Sequence, residues 1–99
     1  MIYNHRVPAL VDENAESPDL NNDCFNHQVT VIVADTTGNF DIQVRTDKDA
    51  TFWEELDGTI NLGQDERTMV FFGYFFKIRA VPRGNVNSGY TAIFQGGVR

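Results

Sequence analysis

The side chains that could carry chemistry here are two histidines, one cysteine and a run of carboxylates, and their spacing works against each reaction they suggest. His5 and His27 are the only histidines and Cys24 the only cysteine. A metal centre needs three or four convergent ligands, and these three residues bring no carboxylate at ligand spacing. Cys24 and His27 have the elements of a thiol dyad. In an extended segment, however, residues 24 and 27 point to opposite sides. Cys24 is expected as a small buried hydrophobe, and His27, in phase with Phe25 and Val29, as a hydrogen-bonded histidine at a core edge. Asp47, Asp49, Glu54, Glu55 and Asp57 invite a calcium reading. An EF-hand loop starting at Asp47 could use Thr51 as its third oxygen ligand, but Phe52 stands where Gly is required and Gly58 where the bidentate Glu belongs. Glu54 and Glu55 fail as a glycosidase pair, because adjacent strand residues face opposite ways. Gly84, Gly89, Gly96 and Gly97 follow no phosphate-binding pattern. We therefore expect no enzyme, no metal and no cofactor, with a solvated acidic loop as the default and a looser calcium site in a sandwich loop as its alternative.

The elements that would position these residues are strands. Phe25, His27, Val29, Val31 and Val33 alternate with Asn26, Gln28, Thr30 and Ile32, a half-buried strand of period two. Asp35 to Asn39 is turn-forming, and Phe40, Ile42 and Val44 then alternate with polar neighbours, so these two segments read as a hairpin. Asp57-Gly58 marks a hairpin or tight turn before Thr59 to Leu62. Met69 to Phe72 is apolar on both faces, and Gly73 marks a bulge or bend. Phe76, Ile78 and Ala80 share one face of the next strand, with Phe75, Lys77, Arg79 and Val81 on the other. The Lys77 and Arg79 stems are expected to cover the sheet there. Tyr90, Ala92 and Phe94 alternate in the last strand. About seven short strands and no helix beyond one turn predict an all-β fold, a small antiparallel sandwich of jelly-roll type. Its expected core is Phe40, Ile42, Val44, Trp53, Phe71, Phe76, Ile78, Tyr90, Ala92 and Phe94.

Composition narrows the function classes. Ninety-nine residues make one domain, near the size at which a core suffices without disulfides. A net charge of −6 argues against nucleic acid, whose phosphates need a basic face. No apolar run approaches the roughly 18 residues of a membrane span. The first residues lack the charged and apolar regions of a signal peptide. Residues 1–24 carry loop signals, with Pro8, Pro18 and Asn/Asp clusters, yet Ile2, Tyr3, Val7, Leu10 and Val11 punctuate them with apolar side chains. We expect an extended N-terminal arm over 1–24 and a β-domain over 25–99. The arm either folds back along the protein's own sheet or lies on another subunit. In the second placement, the one we carry forward, Ile2, Tyr3, Val7, Leu10 and Val11 are the partner-binding anchors.

The succession GNFDIQVRTDKDATFWEEL, GYFFKIRAVP and SGYTAIFQGG, with Trp53 after a polar loop, Gly73 and Tyr74 before Arg79, and Gly89 through Gly97 closing the chain, resembles small bacteriophage virion proteins with a jelly-roll or discoidin-like sandwich. The likeness spans roughly residues 38 to 97. It implies a structural role: a capsid decoration or cement protein made in the host cytoplasm and located in the virion. Its partners would be the major capsid protein or other virion subunits, with homo-oligomers on the particle. Tail or fibre components are the alternative within the family. Discoidin-like sandwiches also bind glycans through loop aromatics, here Phe52 and Trp53 near the polar loop, and that role would expose Trp53 or Tyr90 in an open cleft.

Overall fold

Period-two alternation becomes nine strands in the computed structural model, which describes residues 2–97. They are β1 (Tyr3–Ala9), β2 (Ala15–Glu16), β3 (Asn26–Val33), β4 (Asn39–Arg45), β5 (Glu54–Glu55), β6 (Ile60–Asn61), β7 (Thr68–Phe72), β8 (Lys77–Arg83) and β9 (Tyr90–Gly97), with a 3-10 turn at Leu62–Gln64. Met1, Val98 and Arg99, the outer ends of the two expected segments, lie outside the described residues. The strands form two antiparallel sheets. Sheet A has the order β1-β9-β3-β7, and sheet B the order β2-β8-β4-β5 with β6 also on β4.

The pairing is nested. β1 pairs β9, β2 pairs β8, β3 pairs β7, and β4 pairs β5 and β6. The first half of the chain therefore runs antiparallel to the second as one ribbon. Its tip lies at the turn closed by the Ala50 amide donating to the Asp47 carbonyl at 3.1 Å. Curling this ribbon brings β3 onto β9 and β4 onto β8, which is the jelly-roll arrangement of two sheets. The sandwich class is as expected. The count exceeds seven because β2, β5 and β6 are two-residue strands, too short to show alternation.

Between the sheets lie His27, Val29 and Val31 of β3, Phe40, Ile42 and Val44 of β4, Ile78 and Ala80 of β8, and Tyr90, Ala92 and Phe94 of β9, all buried. Of the expected core residues, Phe71 is half-buried but packs against the core, whereas Trp53 and Phe76 are half-buried and outside it. Phe75 is buried in place of Phe76, because β8 begins at Lys77 and the chain from Gly73 to Phe76 turns rather than alternates. Gly73, with φ +146°, makes that turn; a methyl there would meet the Phe75 ring at 2.6 Å.

Two local expectations are corrected. β3 and β4 do not form a hairpin: β3 belongs to sheet A and β4 to sheet B, and the intervening loop crosses the sandwich. The Asp35 carboxylate fixes that crossing. It accepts the Ser88 hydroxyl at 2.7 Å and the Asn87 and Ser88 amides at 3.1 Å each, which together hold its pKa below the ordinary aspartate value, the Ser88 hydroxyl contributing most. Asp57-Gly58 is a tight turn with Gly58 at φ +88°, but β5 and β6 both pair with β4 rather than with each other.

Residues 1–24 take the first of the two expected placements, folded back along the protein's own sheet, and are not an arm separate from the β-domain. Residues 3 to 9 are β1, a full edge strand of the chain's own sheet A. Residues 15 to 22 then run along β8: Ser17 and Ile78 exchange bonds, the Ser17 amide reaching the Ile78 carbonyl at 2.8 Å and the Ile78 amide the Ser17 Oγ at 3.0 Å. The Leu20 amide donates to the Phe76 carbonyl at 2.7 Å. Ala15, Leu20 and Cys24 are buried in the core. A buried backbone needs such partners, and the β-domain supplies them.

Candidate docking surface

The anchors expected on the N-terminal segment divide by the period of β1. Tyr3 and Val7 point inward: Tyr3 is buried and Val7 packs against the core. The Tyr3 hydroxyl reaches Nδ1 of His27 at 2.8 Å, and His27 Nε2 donates to the Gly73 carbonyl at 2.6 Å. Burial holds the His27 pKa below its ordinary value and pushes that of Tyr3 far up. These two residues are part of the fold rather than of a free surface. Ile2, before β1, and Leu10 and Val11, after it, are exposed. Leu10 and Val11 sit on a turn with Asp12 at φ +67°, closed by the Glu13 amide donating to the Leu10 carbonyl at 3.1 Å. The Tyr90 hydroxyl donates to the Glu13 carbonyl at 2.5 Å and accepts the Ala15 amide at 3.0 Å, pinning the end of this turn. Burial raises the Tyr90 pKa to about 12.

The outer faces of the two sheets differ in kind. Sheet B is charged, and two of its cations are paired with carboxylates within the chain. Arg83 meets Asp41 at 3.0 Å and Glu55 at 3.6 Å, and Lys77 meets Glu16 at 3.4 Å and Asp19 at 3.7 Å. Arg79 lies over the Trp53 ring at 4.3 Å and donates from Nε to Gln43 at 2.8 Å; Arg45 covers Trp53 and Phe76 at 5.8 and 5.3 Å. As expected, Lys77 and Arg79 lay their stems on the sheet. Trp53 is capped by guanidinium groups, and Tyr90 is buried, so neither aromatic offers the open ring that glycan stacking requires.

Sheet A is the opposite case. Its four strands contain none of the chain's 14 acidic residues and one of its 8 basic ones, Arg6. Register sets its outer face in cross-strand rows: Asn4, Gln95, Gln28 and Val70; Arg6, Ile93, Thr30 and Thr68; Pro8, Thr91 and Ile32. Ile32, Val70 and Phe72 are exposed on it at 50%, 59% and 62%. Phe25 stacks on Phe72 at 5.9 Å and meets Tyr74 in a tilted contact at 5.2 Å beyond one end of the sheet. This face is therefore free of acid and, apart from Arg6, uncharged, with three exposed apolar side chains among Asn, Gln and Thr. Sequence reading recognised the strands but not this partition, which needs the knowledge that β1, β3, β7 and β9 share one sheet. Once that is known, the absence of acid from all four segments is plain in the sequence.

Among the described residues, no group of three or more His, Cys, Asp or Glu converges to hold a metal, and no helix is long and apolar enough to cross a membrane. No protein-family model matches the chain, and no curated protein or solved structure is significantly similar to it.

Proposed function

We propose that this protein is a non-enzymatic structural subunit of a bacteriophage particle, binding the capsid surface as a decoration or cement protein. The observation that carries the reading is the acid-free outer face of sheet A on a chain of net charge −6. A protein so acidic repels acidic neighbours everywhere else, so a broad neutral face with exposed Ile32, Val70 and Phe72 directs contact to one side. Ile2, Leu10 and Val11, at the two ends of the edge strand β1, extend that side with apolar anchors. The jelly-roll order of strands, common to viral capsid and lectin domains, and the resemblance of residues 38 to 97 to virion proteins agree with it. The capping of Trp53 and burial of Tyr90 weigh against attachment to host glycans through those rings. The test is quantitative mass spectrometry of purified particles of the encoding phage, paired with a glycan array on the isolated chain. The chain should be present in fixed ratio to the major capsid protein and silent on the array. Absence from particles, with strong glycan binding, would overturn the reading.

A further inference from the structure

The sandwich has four sheet edges, and three of them are guarded. The edge of sheet A at β1 carries Arg6 and Pro8. The edges of sheet B are the two-residue strand β2 and the two-residue strands β5 and β6, β5 being Glu54–Glu55. Short strands, charges and proline are how sheet proteins keep edges from pairing with other chains. The fourth edge is β7, Thr68–Phe72, with the sequence TMVFF. It has no charge, no proline and no bulge: its register with β3 runs unbroken from Thr68 to Phe72.

The parity of that register defines what the edge presents. The Val31 amide donates to the Arg67 carbonyl at 2.8 Å, and the Gly73 amide to the Phe25 carbonyl at 2.9 Å. Antiparallel pairs alternate between bonded and non-bonded, so the odd residues of β7 bond to β3. The even residues, Thr68, Val70 and Phe72, turn their amides and carbonyls outward. No other strand pairs with β7 among the described residues.

We infer that β7 is the two-fold interface of a homodimer, pairing antiparallel with β7 of a second copy and centred on Val70. In that register Val70 faces its own equivalent across the axis and Thr68 faces Phe72, so all three outward-bonding residues of each copy are satisfied. On the inner side, the half-buried Met69 of one copy falls opposite Phe71 of the other in a non-bonded pair, where side chains approach most closely. Sulfur and ring are suited to that contact. The strand is thus complementary to itself, as an isologous interface requires. The charge distribution fits the same occupant, since the strands of sheet A bring no acidic residue to the contact between two copies of a −6 chain. The two-fold makes one eight-stranded sheet whose neutral outer faces lie on the same side.

The dimer is a property of the isolated chain and stands or falls apart from the particle reading. Sedimentation equilibrium of the full chain should give twice the 11.2 kDa chain mass. Val70→Lys places a guard charge on the edge, and Val70→Pro removes only an outward amide, which an edge strand tolerates. Both should be monomers with an unchanged circular dichroism spectrum. Independently, Val70→Cys should oxidise to a covalent dimer, because a bonded pair on the axis sets Cα atoms about 5.5 Å apart, within disulfide reach. Thr68→Cys, displaced from the axis, should not cross-link to its own equivalent. A monomeric wild type, a dimer that survives Val70→Lys, or cross-linking at Thr68 instead of Val70 would overturn the inference.

Discussion

The Tyr3 hydroxyl donates to Nδ1 of His27 because the other ring nitrogen is already committed. His27 Nε2 lies 2.6 Å from the Gly73 carbonyl, an acceptor only, so Nε2 carries the proton and Nδ1 is left to accept. One buried imidazole thereby links β1, β3 and the turn after β7. Tyr3→Phe should leave a buried acceptor unsatisfied and cost about 1–3 kcal/mol in urea denaturation.

The same ring sets an acid limit. Burial lowers the folded-state pKa of His27, so near and below the ordinary value of about 6.5 the unfolded chain binds the extra proton. Stability should be fully present above that value and decline as pH falls through it, levelling off below the folded pKa. A His27→Gln variant, measured by denaturation at neutral and mildly acidic pH, should be less stable at neutral pH and lose this part of the slope. An unchanged slope would show that other groups set the acid limit.

Deleting residues 1–11 should abolish cooperative unfolding rather than release a folded β-domain. The deletion removes the whole of β1, exposes the edge of β9 and empties the Tyr3 site in the core. Thermal unfolding followed by circular dichroism decides the matter. A sharp transition near the wild-type temperature would mean that the segment is a separable arm after all.

Packing offers a graded test. Phe94→Ala, at a fully buried site, should cost about 3–5 kcal/mol, whereas Phe52→Ala, at a site 62% exposed, should stay within about 0.5 kcal/mol. Gly96→Ala belongs with the severe class. A methyl there would overlap the Asn26 carbonyl oxygen and come within 2.5 Å of the Tyr3 ring. Chemical denaturation midpoints give all three.

What could be read from the chain depended on length and register. β3, β4 and β9 are seven or eight residues with clean alternation, and their buried faces were legible residue by residue. His27 was placed correctly at the core edge by phase alone. The N-terminal segment was not legible, because Pro8 and the Asn and Asp clusters spell loop while the strand they interrupt sits at an edge, where proline is tolerated. The crossing from β3 to β4 looked like a hairpin because turn residues do not reveal which sheet receives the next strand. The neutral face was the least accessible feature, since it is assembled from four segments distant in sequence.

The docking face can be tested by adding one charge to it. Ile32 lies on the outer face of β3, one row beyond the part paired with β7, so Ile32→Glu should leave both fold and dimer intact. For the proposed virion role, co-sedimentation of wild-type and Ile32→Glu protein with purified phage particles is the most direct measurement. The account predicts saturable binding by the wild type and its loss in Ile32→Glu. Equal binding by the two, or no binding by the wild type, would contradict it.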